Sequence, residues 1–366
     1  MAGPLCDVKV LEFGAIGPTP FAGAYLGDFG ADVVRIDRPG DVRPNTAPPE
    51  FDFYNRNKRS IALDLKSEDG RAMACQLAAR ADVVMEGMRP GVMERLGLGP
   101  EQLQAANPAL VYARMTGWGQ DGPMASAVGH DINYAALAGA LYPTGFPDRA
   151  PSPALNLVAD IGGGAMYLVS GILMALHHAR RTGQGQVIDV AMVDGVAHMM
   201  SAFQAMLQGG LWSEERMANS VDGGSPDYGV YPAGDGKFIA VGAMEPQFYA
   251  ALLALLGLDS AAIPSRDDRA NWPALRAVFA EIFASRPRHE WLAMAEGKDI
   301  CISAVLSISE AWAHPHLVTR GTFRQFAGRI HPAPAPRLSA TPGALTRPTP
   351  QVGEGGQDVL ADWGLS

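Results

Sequence analysis

The chain has 366 residues and a net charge of −9, with nearly half of its residues hydrophobic and fewer than a fifth charged. That is ample material for a large core or two domains and argues against a disordered chain; the acidic balance argues against general nucleic-acid binding, so an anionic ligand would need a local gathering of Arg and Lys. Cys6, Cys75 and Cys301 have no metal-ligand or redox spacing, and the N-terminus lacks a basic region and an apolar signal core, so a soluble cytoplasmic protein with no nucleic-acid or membrane partner is expected.

The first part alternates strand and helix patterns. Residues 8–13 read as a strand, Gly14-Ala-Ile16-Gly17-Pro18 as a tight turn, 21–29 as a helix stopped by Gly30 and 32–36 as a second strand. Residues 60–65 read as a third strand, 71–81 as a helix, and 82–85 and 110–115 as further strands. Short apolar strands separated by helices predict βαβ units and a mostly parallel sheet. A long helix is expected from Gly162 to about Arg181, closed by Gly183; its apolar stretch, around 165–176, reads as too short to span a membrane. A strand at 186–190 and a helix at 193–207 follow, and the segment from Trp212 to Gly229 loses periodicity and reads as a linker. Beyond it, Gly234-Asp-Gly236 marks a hairpin, helices are expected at 247–256, 273–284 and 290–295, and a strand at 302–306. The Pro-rich stretch 331–350 reads as an extended connector and 357–363 as a short helix that returns to the first domain.

Several constellations carry chemistry. The Gly14-x-x-Gly17 turn resembles a βα phosphate turn but lacks Gly-x-Gly-x-x-Gly spacing, and the copy of that spacing at Gly117, Gly119 and Gly122 is followed by Pro123 rather than a helix. Cations gather at the ends of the early strands: Arg35, Arg38, Arg56, Lys58, Arg59, Lys66, Arg89, Arg95 and Arg114. In a parallel sheet several of these converge on one edge and offer a phosphate site. His130, in Gly129-His-Asp131, is either a structural histidine or a general base. Asp160 stands at the expected helix N-cap before Gly162-Gly163-Gly164, with Asn156 placed to orient it; three glycines and free N–H groups there suit a developing oxyanion. Glu245 precedes a helix, where an acid is favourable in any case. No Gly-x-Ser-x-Gly elbow, zinc helix or Walker loop is present.

Taken together, Leu11-Glu-Phe-Gly, Leu26 to Pro39, Leu63-Asp-Leu-Lys66, Gly87-Met-Arg-Pro-Gly91, Glu94-Arg-Leu-Gly97, Ala113 to Gln120 and Gly129-His-Asp-Ile-Asn-Tyr134 resemble the type III coenzyme A transferase and α-methylacyl-CoA racemase family over nearly the whole chain. The resemblance implies an α/β fold with a large Rossmann-like parallel-sheet domain (1–200 and 330–366), a linker (201–229) and a smaller α+β domain (230–329), in an interlocked homodimer. It implies a thioester racemase in which His130 and Asp160 are acid–base groups on opposite faces of the α-carbon. Asn156 would orient Asp160, Glu245 would hold the His130 ring, and Tyr228 would help close the site. Arg38, Lys66, Arg89 and Arg95, with Ile16 and Leu63 beside them, would bind the coenzyme A portion of the acyl-CoA substrate, and no metal or redox cofactor is required. Met192, Met199, Met200 and Met206 offer an adaptable apolar surface for the acyl chain, or ordinary core packing. Two alternatives follow from the same segments: a transferase that forms an acyl-enzyme on Asp131, and a non-catalytic acyl-CoA-binding protein.

Overall fold

The computed structural model describes residues 3–40 and 48–365; residues 1, 2, 41–47 and 366, which fall within the expected large domain, lie outside the described residues. In chain order the first part holds β1 (Lys9–Phe13), α1 (Pro18–Asp28), β2 (Asp32–Asp37), β3 (Lys58–Ala62), α2 (Glu68–Ala78), β4 (Val83–Glu86), α3 (Val92–Arg95), α4 (Pro100–Ala106), β5 (Val111–Thr116) and α5 (Asp131–Leu137). A π-helical stretch (Leu157–Ala165) then runs into α6 (Met166–Thr182), followed by β6 (Val187–Ala191) and α7 (Met192–Met199). The strands form one six-stranded sheet in the order β3-β2-β1-β4-β5-β6, every pair parallel. Parallel strands are covered on both faces, which is why β1, β4 and β5 are apolar runs rather than alternating ones. One core gathers Leu11, Phe13, Val34, Leu77 and Tyr112, with Val359 and Trp363 packed into it from the C-terminal helix.

The chain divides into two compact units. The first comprises Met1–Ala138, Ala154–Met199 and Thr319–Ser366, and the second Gly139–Pro153 and Met200–Val318. The expected linker at 201–229 therefore belongs to the second unit. It opens with a helix, α8 (Ser201–Gln208), separated from α7 at Met200, so the single helix read at 193–207 is two. The second unit continues with the antiparallel pair β7 (Tyr228–Pro232) and β8 (Phe238–Gly242), then α9 (Pro246–Leu256), α10 (Trp272–Ala284), α11 (Arg288–Ala295), β9 (Ile302–Val305), antiparallel to β8, and α12 (Ile308–Ala313). Tyr231, Phe279, Phe283 and Trp291 form its core. The short helix α13 (Pro315–Arg320) ends in the first unit, which also holds a hairpin, β10 (Phe323–Phe326) with β11 (Arg329–Pro332), and α14 (Gly356–Asp362). The hairpin went unread in the sequence and moves the end of the second unit to Val318 from the expected 329.

Other differences have local causes. Strand β3 begins at Lys58, before the expected 60, because Lys58 and Arg59 are carried into the interior by ion pairs with Glu12 and Asp32. Helix α2 begins at Glu68 because the Ser67 hydroxyl accepts the Gly70 N–H as an N-cap. The long helix is extended at its start: the π-helical stretch and α6 run continuously from Leu157 to Thr182, 26 residues, long and apolar enough to cross a membrane by length and composition, which corrects the shorter reading. Leu168, Val169, Ile172, Ala175 and Ala179 are its buried stripe, on the side that meets β5 and β6.

Trp363 seals the first core, 2% exposed, with its indole N–H donated to Asp32 Oδ2 at 2.8 Å. Trp363→Ala is expected to cost about 3–5 kcal/mol, read as a lower denaturant midpoint at unchanged slope.

Candidate active site

The carboxyl ends of β1, β4 and β5 open on a cleft of about 1050 Å³ that lies within the first unit. Open parallel sheets bind ligands at this edge. Its walls are the Ile16–Pro20 turn after β1, the segment 51–55, the Gly87–Pro90 loop after β4 and the Thr116–Trp118 turn after β5, with His130, Asn156 and Asp160 opening on the same space. Tyr134 is held edge-on against Trp118, ring centroids 4.7 Å apart. Gly117 and Gly129 are glycines because a β-carbon at either would fall within 3 Å of the Tyr134 ring.

His130 is the N-cap of α5, extended and exposed, and its backbone N–H is donated to Asn133 Oδ1 at 3.0 Å. The next residue, Asp131, turns inward and is buried. Its Oδ2 accepts the backbone N–H of Ala159 at 2.7 Å and of Asp160 at 2.8 Å. A carboxylate bonded in this way ties the start of α5 to the π-helical stretch and sets His130 and Asp160 on one cleft.

Asp160 is not the helix N-cap expected of it. The helix starts earlier, with Asn156 at the N-cap, and Asp160 lies inside the π-helical stretch, where the Met166 N–H reaches back to Ile161 O. The three glycines serve packing rather than substrate approach: a β-carbon on Gly163 would stand 2.8 Å from Val196 N, and one on Gly195 would stand 1.9 Å from Gly163 O. They let α7 lie directly against the helix backbone.

Burial pushes the Asp160 carboxyl above the ordinary carboxylate range. The hydrogen bond from Asn156 Nδ2 to Oδ2, 3.2 Å, opposes that shift, the Asp131 charge adds to it and His130 opposes it. Tyr54 and Tyr134 are raised too, first by burial and then by the Asp160 charge, which places both phenols in its field. Gly17, with φ +70°, borders the half-buried carboxyl; a β-carbon there would stand 3.3 Å from Asp160 Oδ2.

The cleft thus brings together Ile16, Arg89, His130, Asn156 and Asp160. Arg38, Lys66 and Arg95 are exposed and do not line it, and half-buried Leu63 lines a separate hollow of about 660 Å³ beside β3. Most other cations of the early run are turned to structure. Arg35 and Lys58 pair with Glu12, Arg56 with Asp28, Arg59 with Asp32 and Asp362, and Arg114 with Glu86 and Glu94. Their convergence on phosphate is corrected accordingly. Of the four methionines read as an acyl surface, Met192 lines the cleft. Tyr228 and Glu245 belong to the second unit: Tyr228 opens β7 paired with Gly242, and Glu245 is the exposed N-cap of α9. Tyr54 and Asn55 were missed in the sequence; the aromatic cluster Phe51-Asp-Phe-Tyr54 in a loop was the available signal.

The chain matches CoA-transferase family III over residues 5–356. It belongs to that family. A protein of Mus musculus named alpha-methylacyl-CoA racemase is 45% identical over 364 residues, 99% of this chain and 94% of its own length. Its namesake in Homo sapiens is 42% identical over the same span and the same shares. Among solved structures, a CAIB/BAIF family protein from Brucella suis superposes with a TM-score of 0.86 at 30% identity, covering 99% of this chain and 100% of that one.

Asn156→Ala removes a donor to the charged form of Asp160, so the Asp160 carboxyl is expected to titrate at higher pH than in the unsubstituted protein. A carbon-13 NMR titration of the aspartate Cγ, assigned with Asp160→Asn, reads the direction.

Proposed function

We propose that this chain interconverts the two configurations of 2-methylacyl-CoA thioesters by moving the α-proton through an enolate. The observation that carries this reading is an imidazole and a carboxyl group of raised affinity for protons opening on one cleft. Deprotonating the carbon beside a thioester needs a base on one face, and inverting it needs an acid on the other. His130 and Asp160 fill these parts and share one proton in either direction: neutral imidazole with carboxylic acid, or imidazolium with carboxylate. Burial of Asp160 narrows the gap between those two forms, since it penalises the charged carboxylate, and neither direction of proton transfer is then strongly uphill. The two groups exchange roles at each inversion, so the pair is ready for the reverse reaction without an added reagent.

The enolate oxygen needs donors. The helix start after Asp160, first read as their source, is spent on Asp131 and on π-helical bonds. The N–H groups of Asp131 and Ile132, the first two of α5 and next to His130, supply them instead, since that of Asn133 is turned back to His130. Arg89, exposed in the loop after β4 and lining the cleft, takes the phosphate end of coenzyme A, with Ile16 against the arm and Arg95 on the helix that follows the same loop; Arg38, Leu63 and Lys66 extend that binding along the sheet edge toward β3. The carbon acid is activated by its own thioester, so no metal or redox cofactor enters the reaction. Glu245 and Tyr228 complete the site from a second copy of the chain in an interlocked homodimer, Glu245 holding the His130 ring and stabilising the imidazolium. Exposed Leu173, Met174, Leu207 and Leu211 are the kind of surface such a partner covers.

The transferase reading is less favoured because it requires Asp131 as a nucleophile, and Asp131 is buried with one oxygen shared between two backbone N–H groups.

In heavy water the α-proton of a 2-methylacyl-CoA ester is expected to exchange with no carboxylic acid acceptor present. His130→Ala and Asp160→Ala each lose about a hundredfold to ten-thousandfold of that rate. Dependence on a free acid, with an adduct on Asp131 trapped by hydroxylamine, would replace the racemase with the transferase. Mixing inactive His130→Ala chains with inactive Glu245→Gln chains should restore activity through hybrid dimers, one of whose sites is intact; no recovery on re-assembly counts against the shared site.

A further inference from the structure

Beneath the cleft lies a polar cluster that the reaction leaves unused. Glu12, in the middle of β1, is fully buried and accepts from Lys58 Nζ on Oε2 and from Arg35 Nη1 on Oε1, both at 2.6 Å. Arg35 Nε is donated to Asp37 Oδ1 at 2.8 Å. The two cations meet again at Asn55 Oδ1, 2.9 Å from Lys58 Nζ and 3.3 Å from Arg35 Nη1, and Asn55 Nδ2 passes on to Asp52 Oδ2 at 2.7 Å. Each cation then reaches one end of the turn after β1: Arg35 Nη2 bonds Ala15 O at 3.2 Å and Lys58 Nζ bonds Pro20 O at 2.9 Å. Gly23 makes room, since a β-carbon there would fall 2.1 Å from Glu12 Oε2.

Burying so many charges is a poor route to stability; apolar residues of similar volume serve as well or better. Burial first, and the neighbouring Arg35 charge after it, lower Lys58 to about 8 against the opposing pull of Glu12. What the cluster does supply is geometry. The backbone segments it holds, 15–20 and 52–55, both contribute walls of the cleft, and both reach Asp160: Gly17 stands against its carboxyl and Tyr54 lies in its field.

We propose that Lys58, acting with Glu12 and Arg35, is a positioning residue for Asp160, fastening the two backbone segments that border its half-buried carboxyl group and limit its hydration. This rests on reading Asp160 as an acid–base group, but its test does not require turnover. The charged and titratable groups that face Asp160 are His130, Asp131, Tyr54 and Tyr134, and none of them is altered in the variants below.

The paired variant Glu12→Gln/Lys58→Met removes one charge of each sign and leaves Arg35 with Asp37. Asn55→Ala is milder and cuts the tie to segment 52–55. With the segments loosened, more water reaches Asp160 and part of the desolvation that raises its carboxyl is relieved, so its carbon-13 titration moves to lower pH in both variants. The acid limb of the kcat/KM profile for α-proton exchange moves the same way, and kcat falls by about tenfold to a hundredfold. A cluster that only stabilised the fold would lower the melting temperature and leave the Asp160 titration in place. That result in either folded variant overturns the proposal. A native protein that exchanges no α-proton sinks the racemase reading alone, because the NMR titration still measures Asp160 in each chain.

Discussion

One carboxylate oxygen holds the candidate site together. Asp131 Oδ2 takes the N–H groups of Ala159 and Asp160, 28 and 29 residues further along the chain, at 2.7 and 2.8 Å. Hydrogen bonds to a charged acceptor contribute about 1.5–3 kcal/mol each, and losing the acceptor would leave buried donors without a partner. The two residues proposed to handle the proton flank this junction directly: His130 precedes Asp131, and Asp160 is itself one of the two donors. Their relation is therefore set by main chain and a buried acid rather than by flexible side chains meeting across solvent. Preorganisation of this kind is what a proton transfer between opposed groups demands.

The same economy governs charge in the first unit. An acidic chain with many arginines near its sheet edge invites a phosphate reading, yet most of those cations are tied to carboxylates and never face the cleft. Glu86 illustrates the balance. Burial raises it to about 7, while the Met88 N–H and Arg114 pull the other way, so the acid at the end of β4 braces the Gly87–Pro90 loop. Arg89, exposed in the wall of the cleft, stands outside these pairs, while the interior charges hold the loops that shape the cleft.

Helix geometry contributes a further constraint. The π-helical stretch places Asp160 partway along a helix instead of at its cap, and Gly163 and Gly195 bring α7 against it at backbone distance. An α-helical register there would rotate Asp160 relative to Asn156 and to the Asp131 oxygen. π-helical turns are uncommon and concentrate at functional sites, and this one leaves no marker in hydrophobic periodicity, which is why Asp160 was read as a cap.

The parallel sheet, the hairpin at Gly234-Asp-Gly236 and most helices were legible in the residues because apolar period, glycine and proline act locally. His130, Asn156 and Asp160 were legible as candidates through their motifs, and CoA-transferase family III membership through the order of those motifs. What only the tertiary structure decided was partnership. Whether Lys58 meets solvent or a buried Glu12, whether Gly163 meets open space or a helix, and whether the Asp131 carboxylate meets water or the Ala159 N–H all depend on which distant backbone arrives beside them. Charge and hydrogen-bonding capacity are written into each residue, but the desolvation and the partner that give them a role exist only once the chain has closed around them.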